Sequence, residues 1–588
     1  VSSLSYSISA LDLTKVPFGK TKSSYLVFEE NDGDGEGFKP GLYFASSAQS
    51  AEVRRKGLVD IVPIHNGEPL SYTYNATPSV LRLDTARGSI QIIMDTSGTM
   101  RIRGQGVGVR LYTEIPFMTM MLATQLPNGI VDLNLIGIRP GGGRFFFVPI
   151  EGRVTLDSVY NVVHMGPEDA TVELLPSERG YFETAVYAVN PDEWGTVDYQ
   201  PMEACIAQTD GSFRDFLASY PDIDGKWSAL RELCAYTVWL HYQEKSAMAI
   251  IPTMKADMIY RSRFADCEAK AFEQPLHAMA LSDAQAAFDL ISNIFAHMEN
   301  GMLPTAVSNS RIYYQAFLPV HGAAVLHLLD LDFSGIPEKA LKALYISMSE
   351  HYAWWVKSHS LSENHFSYNQ RDEYGFSGSS YGALTFPLET PELYAFMILY
   401  TEALSKLSAI AGDGKKDAWA ESSGRLMTTL MSLWDGDCFV CRDAYGGRRY
   451  TSGSLLAYLP VILGRRLPAV VLEKLRLALG DEEGFLCSRG FRSESKRSPY
   501  YDATVSGRGA VDASLQVLVT GGLFDTGAIG LAREAAARFL AYAEANGARD
   551  IIVSEGQEPP RRPADEMNAM AASAVLCLGG KLHRGGRE

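Results

Sequence analysis

Thr390-Pro391-Glu392-Leu393-Tyr394-Ala395-Phe396-Met397-Ile398-Leu399-Tyr400 opens the stretch whose reading decides the fold. Proline suits the first turn of a helix, where a missing N–H costs nothing. Phe396, Leu399, Tyr400, Ala403, Leu404 and Leu407 then recur at i, i+3, i+4, i+7, i+8 and i+11, one apolar face of a helix. Upstream, Ser282-Asp283-Ala284-Gln285 reads as a capping box ahead of Ala287, Leu290, Ile291, Ile294, Phe295 and Met298. Downstream, Met567, Met570, Ala571, Ala574, Val575 and Leu578 repeat the face. From Trp227 to Leu578 such segments add up to roughly a dozen helices without intervening strands. Helices bury their apolar stripes by pairing, so residues 213–588 are expected to form an (α/α)6 toroid whose alternate loops gather around one central pocket.

Before this region the period changes. Ser89–Asp95, Gly143–Ile150, Thr171–Leu175 and Thr184–Val189 are short β-rich runs between Gly, Asn, Asp and Pro. Runs of this kind predict an antiparallel β-sandwich over residues 1–212, a supporting or binding domain with no catalytic acids gathered at a turn.

A chain of 588 residues exceeds one ordinary hydrophobic core, in keeping with two domains. The net charge of −16 argues against nucleic acid or an anionic membrane as a partner, since no basic stripe is present. Charges interrupt the apolar runs before the roughly 20 residues that cross a bilayer. The cysteines lack paired spacing apart from Cys438-Phe439-Val440-Cys441, and Val1 to Lys15 lack a basic start with an apolar core. The expectation is a reduced, cytoplasmic protein without metal or other cofactor.

Chemistry concentrates in two loops. Asn369-Gln370-Arg371-Asp372-Glu373-Tyr374-Gly375 carries two acids among Tyr368, Tyr374, Phe376 and Tyr381, with Ser377, Gly378, Ser379 and Ser380 between them. Aromatic planes and short polar groups together suit a sugar, and the plainer reading is a solvated loop whose acids pair with Arg371. Ser554-Glu555-Gly556-Gln557-Glu558-Pro559-Pro560 follows the apolar run Ile551-Ile552-Val553. Glu555 there activates water, caps a helix or pairs with Arg561, and Glu558 competes with it. A third cluster, Phe264-Ala265-Asp266-Cys267-Glu268, reads as the start of a helix running to about Leu281, with Asp266 as its cap or as a grip on sugar hydroxyls. Trp354-Trp355 read as core, and His321, His359 and His365 as structural histidines. No P-loop, dinucleotide fingerprint, zinc-protease or nucleophile-elbow motif is present.

The helical half, over about residues 225–580, resembles the inverting α-glycosidases of glycoside hydrolase family 63, the processing α-glucosidase and mannosylglycerate hydrolase type. Asp257 to Cys267, ending Arg-Phe-Ala-Asp-Cys, is similar to the family's Phe-Trp-Asp-Ser stretch, with Asp266 at its sugar-gripping Asp and Ala265 at its Trp. Gly301-Met302-Leu303-Pro304 resembles the loop after the second helical hairpin. Gly490-Phe491-Arg492-Ser493-Glu494-Ser495 and Ser498-Pro499-Tyr500-Tyr501 resemble Gly-Leu-Ala-Ser-Glu-Ser and Ser-Pro-x-Tyr. Ser554-Glu555-Gly556 through Ala572 resembles the base-bearing loop and final helix, which implies Glu555 as general base. Two stretches depart from the pattern. Gly507-Arg508-Gly509-Ala510-Val511-Asp512 stands where the family has Trp-Arg-Gly-Pro-x-Trp, and Ser377 stands where its acid loop carries the Asp.

The resemblance implies an exo-acting inverting glycosidase of an α-glucoside or related small oligosaccharide. Asp372 or Glu373 would be the acid and Glu555 the base, with Asp266, Gln315, Tyr374, Arg508 and Glu494 on the substrate. Alternatives are a phosphorylase on the same architecture, a sugar isomerase or epimerase using clustered histidines, and a sugar-binding protein without catalysis.

Overall fold

Alternation along the N-terminal strands decides which side is core. In Leu81–Thr85 the two leucines are buried while Arg82 and Asp84 face water, and Ile90 and Ile92 continue the inner face on the neighbouring strand. The computed structural model describes residues 10–30 except 22 and 24, 40–46, 58–96, 99–115, 119–137, 144–187, 199–241, 269–270, 273–307, 312–376, 378–557 and 567–584. Two antiparallel sheets fill the N-terminal part. One runs in the order Phe18–Gly19, Tyr25–Glu30, Gly41–Ser46, Val59–His65, Gly108–Glu114, Asp169–Leu175, Arg153–Asp157, with Glu68–Pro69 added to Val59–His65. The other runs Thr119–Gln125, Val131–Gly137, Arg144–Glu151, Tyr181–Tyr187, Thr99–Gln105, Ser89–Thr96, Leu81–Thr85, Tyr72–Ala76. Their inner faces meet: Phe145 of the second sheet lies edge-on to Phe44 of the first at 5.6 Å between centroids and 6.4 Å from Tyr25.

The expected division at 212/213 falls inside the first helix, Met202–Ala218. Arg101 fastens this helix to the second sheet. The buried guanidinium pairs with Glu183 and Asp95 and donates to the Gln200 carbonyl at 2.7 Å, and Cys205 Sγ lies 3.2 Å from Asp95. Tyr236, on helix Ser228–His241, accepts from the Gly19 N–H at 3.0 Å and donates to the Pro17 carbonyl at 3.1 Å. The helical part is thus docked on the sheets through buried polar groups that satisfy one another.

Helices then dominate, from Ser228–His241 through Ala284–Ala296, Glu338–His359, Pro391–Ala411, Lys416–Ser432 and Ala513–Thr526 to Ala569–Arg584. The last packs on Ser228–His241 and on Ala513–Thr526. Helix Pro391–Ala411 is long and apolar enough to cross a membrane, contrary to the sequence expectation, yet it is an interior helix whose apolar window is 72% buried. Apolar residues surround it on every side because Lys416–Ser432, Glu338–His359 and His321–Asp330 all pack against it.

Two local expectations change. Helix Ala284–Ala296 is capped by Asp283, whose carboxylate accepts the Ala286 N–H at 2.8 Å. Ser282 turns away to the Ser219 carbonyl at 3.0 Å, leaving the cap to the stronger, charged acceptor. The helix foreseen from Asp266 to Leu281 is, among the described residues, a short strand Ala269–Lys270 followed by helix Glu273–Ala278. Ala269–Lys270 pairs instead with Pro304–Val307, so a tertiary strand partner overrides local helix preference there. Asp266 itself lies outside the described residues.

Candidate active site

The mid-chain loop is built from the inside out. Tyr368, Tyr374 and Tyr381 are fully buried and meet edge to face, at 6.1 Å for Tyr368–Tyr374 and 5.6 Å for Tyr374–Tyr381. Phe386 stacks on Tyr374 at 6.2 Å. These rings are therefore the core of the loop and not an exposed platform for sugar. Burying several large aromatic surfaces holds a Gly- and Ser-rich segment in one conformation. Gly375 turns the chain with φ of 82°, and a Cβ added there would lie 2.5 Å from the ring of Phe317. Gln315 is half-buried two positions before that ring.

The two acids of this loop part company. Asp372 is exposed and Glu373 is buried. Glu373 Oε2 accepts the Asn369 N–H at 2.6 Å, and Oε1 stands 3.4 Å from His359 Nε2. Arg371, the partner foreseen for these acids, is exposed, and the partner found for Glu373 is His359. His359 packs on Trp355 at 4.7 Å and on Trp354 at 5.1 Å. His321 is buried beside His351 at 6.0 Å, and burial lowers its pKa to about 3. His365 pairs with Glu389 at 3.5 Å, alongside Arg442. His321 and His359 thus belong to one packed ring cluster around His351, while His365 stands in a separate ion pair.

Beyond the turn the loop meets a second segment, residues 492–512. Ser380 Oγ donates to Glu494 Oε2 at 2.8 Å, and Ser379 and Ser454 hydroxyls share a 3.1 Å bond. A Cβ on Gly378 would stand 2.2 Å from the Ser506 carbonyl oxygen, so the two backbones touch and only glycine fits. Glu494 is fully buried. Burial pushes its pKa up, opposed by the Ser498 and Ser380 hydroxyls and the charge of Arg508. Arg508 is half-buried, and its Nε has no hydrogen-bond partner among the described residues.

The C-terminal loop meets the same segment. Ile551–Ile552 pairs with Val511–Asp512 as a short antiparallel ladder. The Ser554 N–H donates to the Ala503 carbonyl at 3.0 Å, and Tyr501 and Ser554 hydroxyls bond at 3.0 Å. Asp512 is fully buried and accepts from Ser506 Oγ at 2.6 Å and from the Gly507 N–H at 3.2 Å; burial raises its pKa to about 6. Glu555 is half-buried, with Arg492 Nη2 at 2.8 Å and Lys496 Nζ at 3.2 Å from Oε1. Burial acts to raise its pKa, but hydrogen bonds from Lys496 and Arg492 outweigh burial and the carboxyl is held below the usual range. Neither Arg561 nor Glu558 lies within the described residues. A cavity of about 890 Å³ borders this loop at Gly556 and Gln557, walled by Arg489, Arg538 and Tyr542.

Glu494, Arg508 and the Asp372-Glu373 loop therefore stand together, and the loop of Glu555 is joined to the same segment. Tyr374 is part of the loop core. The pairing of Arg492 and Lys496 with Glu555 escaped sequence reasoning, and so did that of His359 with Glu373. One signal was available for the first: Arg492 is the charged exception in a motif that otherwise carries Ala.

Residues 274–559, just under half of the chain, match the model of the mannosylglycerate hydrolase MGH1-like glycoside hydrolase domain. All of the described candidate residues fall inside that stretch. The protein is a glycoside hydrolase. More particularly, its helical half resembles the mannosylglycerate hydrolase MGH1-like type of glycoside hydrolase domain. Among solved structures, a family 63 mannosylglycerate hydrolase from Thermus thermophilus, in complex with glucose, is 15% identical. That match covers 60% of this chain and 99% of that chain, with a TM-score of 0.49. A family 92 α-mannosidase from Bacteroides thetaiotaomicron is 11% identical over 97% of this chain and 82% of that chain, with a TM-score of 0.51, a likeness of fold that takes in both the sheets and the helices. No curated protein matches the chain in sequence.

Proposed function

We propose that the protein is an exo-acting, inverting hydrolase of an α-glucoside or a related small oligosaccharide. Water would attack from the side of Glu555 while an acid on the mid-chain loop protonates the departing oxygen. The observation that carries this reading is that both acidic loops are fastened to one segment, residues 492–512, by hydrogen bonds and backbone contact. Loops so fastened cannot drift apart independently, as a pair of carboxyl groups acting on one bond requires.

Within the mid-chain loop, accessibility favours Asp372 as the proton donor, because Glu373 is buried and committed to Asn369 and His359. Arg508, Gln315 and Asp266 would receive sugar hydroxyls, and Glu494, buried and bonded to Ser380, would do so only where substrate binding opens the segment around it. The toroid expected for residues 213–588, with the sandwich of residues 1–212 as its support, belongs to the same proposal. It is supported by the return of the last helix, Ala569–Arg584, onto Ser228–His241. A small carbohydrate is the only ligand the reading requires.

Hydrolysis of a panel of disaccharides, with mannosylglycerate beside them, tests it, with ¹H NMR following the anomer first released. The proposal expects the inverted anomer, with the two carboxyl groups roughly 6.5–9.5 Å apart in a substrate complex. Retention, or turnover only with added phosphate, would replace it.

A further inference from the structure

The reading of Glu555 as the base leaves open what makes this half-buried carboxylate a fixed and ionised group. Four facts bear on that. First, Arg492 is almost wholly buried, its side chain 6% exposed. Nη1 donates to the Glu482 and Leu486 carbonyls, each at 2.7 Å, so the guanidinium plane is set by main chain before it meets any carboxylate. Second, Nη2 of the same group donates to Glu555 Oε1 at 2.8 Å. Third, Lys496 approaches the same oxygen at 3.2 Å from the solvent side and also stands 3.6 Å from Glu483. Fourth, Arg489 donates to the main-chain carbonyls of Val553 and, at 2.8 Å, Gly556, one on either side of Glu555.

We infer that Arg489, Arg492 and Lys496 form a basic clamp of positioning residues. Arg489 fixes the loop, and the other two hold the Glu555 carboxylate by Oε1 so that Oε2 is presented to the attacking water. Both described contacts of the carboxylate fall on Oε1. An anchored guanidinium loses little freedom on pairing, and charge-assisted bonds favour the ionised acid. The charged groups facing Glu555 are Arg492, Lys496 and Arg489 from one segment, and Glu483, shared through Lys496, from the turn before it. The lowered pKa of Glu555 agrees with this arrangement.

The inference rests on Glu555 being the base, and the experiment separates the two claims. It measures kcat/KM against pH, on whichever disaccharide the enzyme turns over, for wild type, Lys496→Met, Arg492→Met, Arg492→Lys and Glu555→Gln. A base must be deprotonated, so activity falls as pH drops below its pKa, and removing a neighbouring cation moves that acid limb to higher pH. Lys496→Met is expected to move it up by about one unit and Arg492→Met by more, with partial return in Arg492→Lys. Lys496 is exposed, so its variant carries the test even where Arg492→Met fails to fold. An acid limb unmoved in Lys496→Met, with Glu555→Gln inactive, overturns the clamp alone. Wild-type turnover in Glu555→Gln overturns the assignment of the base.

Discussion

The two acidic loops are held by opposite kinds of force. The mid-chain loop is fixed by packing: buried tyrosines, a stacked phenylalanine and a glycine whose conformation and crowding admit no side chain. The C-terminal loop is fixed by charge, through the basic side chains of residues 489–496 on its carbonyls and on Glu555. The contrast teaches that a site made of two distant loops divides its tasks. A loop of aromatic and small residues supplies a rigid wall, and its acids are sorted by burial into one anchored and one accessible. A loop with little apolar content relies on charge, which orients a carboxylate and sets its ionisation in one step.

This contrast can be broken by removing one carboxyl from each loop. Glu555→Gln is expected to lower kcat by about 10²–10⁴-fold, a loss much larger than the modest drop in melting temperature that follows from losing the Arg492 and Lys496 pairings. Glu373→Gln is expected to act mainly on stability, because Glu373 ties its own loop to His359 and Asn369. Steady-state kinetics beside thermal unfolding read both, and loss of turnover without loss of stability in Glu373→Gln would exchange the roles given to Asp372 and Glu373.

Packing as the force on the mid-chain loop is tested at its turn. Gly375→Ala puts a Cβ at left-handed φ and against the Phe317 ring. It is expected to cost about 1–3 kcal/mol, readable by denaturant unfolding. Stability equal to wild type would mean that the turn yields and that the aromatic core is not what fixes the loop.

A pH effect follows from Glu392, which is buried under this loop and receives the Tyr381 hydroxyl at 3.1 Å. Burial raises its pKa from 4.5 to about 8, against the hydrogen bonds that lower it. Between those values the folded state holds a proton that the unfolded state has released, so stability is fully present below pH 4.5 and falls as pH rises through 8. Asp512, raised from 3.8 to about 6, has the same sign over a lower window. Glu392→Gln is expected to flatten the decline of unfolding free energy between about pH 5 and 8, and an unchanged slope would show that Glu392 is not its source. The smallest effect expected is that of salt. Raising it from about 0.1 to 1 M shortens the screening length from about 10 to about 3 Å. That weakens the exposed Lys496–Glu555 pair and moves the acid limb of the pH profile slightly upward, leaving the stability of the mid-chain loop untouched.

Periodicity made the helices readable, since an apolar face is written into consecutive residues such as Phe396, Leu399 and Tyr400, and the β-rich runs announced strands in the same way. Which side of a loop faces inward is not written locally. Tyr374 and Tyr381 have the composition of a sugar platform, and only the position of Phe386 and of the buried Glu392 shows that they close a core. The clamp on Glu555 joins residues 63 positions apart, a pairing that no spacing rule contains. The cap at Asp283 was a nearer miss, as two acceptors stood side by side and the charged one took the N–H. That Glu555 stands at a turn was legible, because it follows an apolar run and precedes glycine.

In the proposed reaction the two loops act on one bond. The measurement that addresses it most directly is kcat for Asp372→Asn, Glu555→Gln and the double variant on a single disaccharide substrate. The account predicts a large loss in each single variant and a double variant scarcely slower than the worse of the two, because groups acting as a unit do not contribute additively. Wild-type turnover in either single variant, or losses that multiply fully in the double, would contradict it.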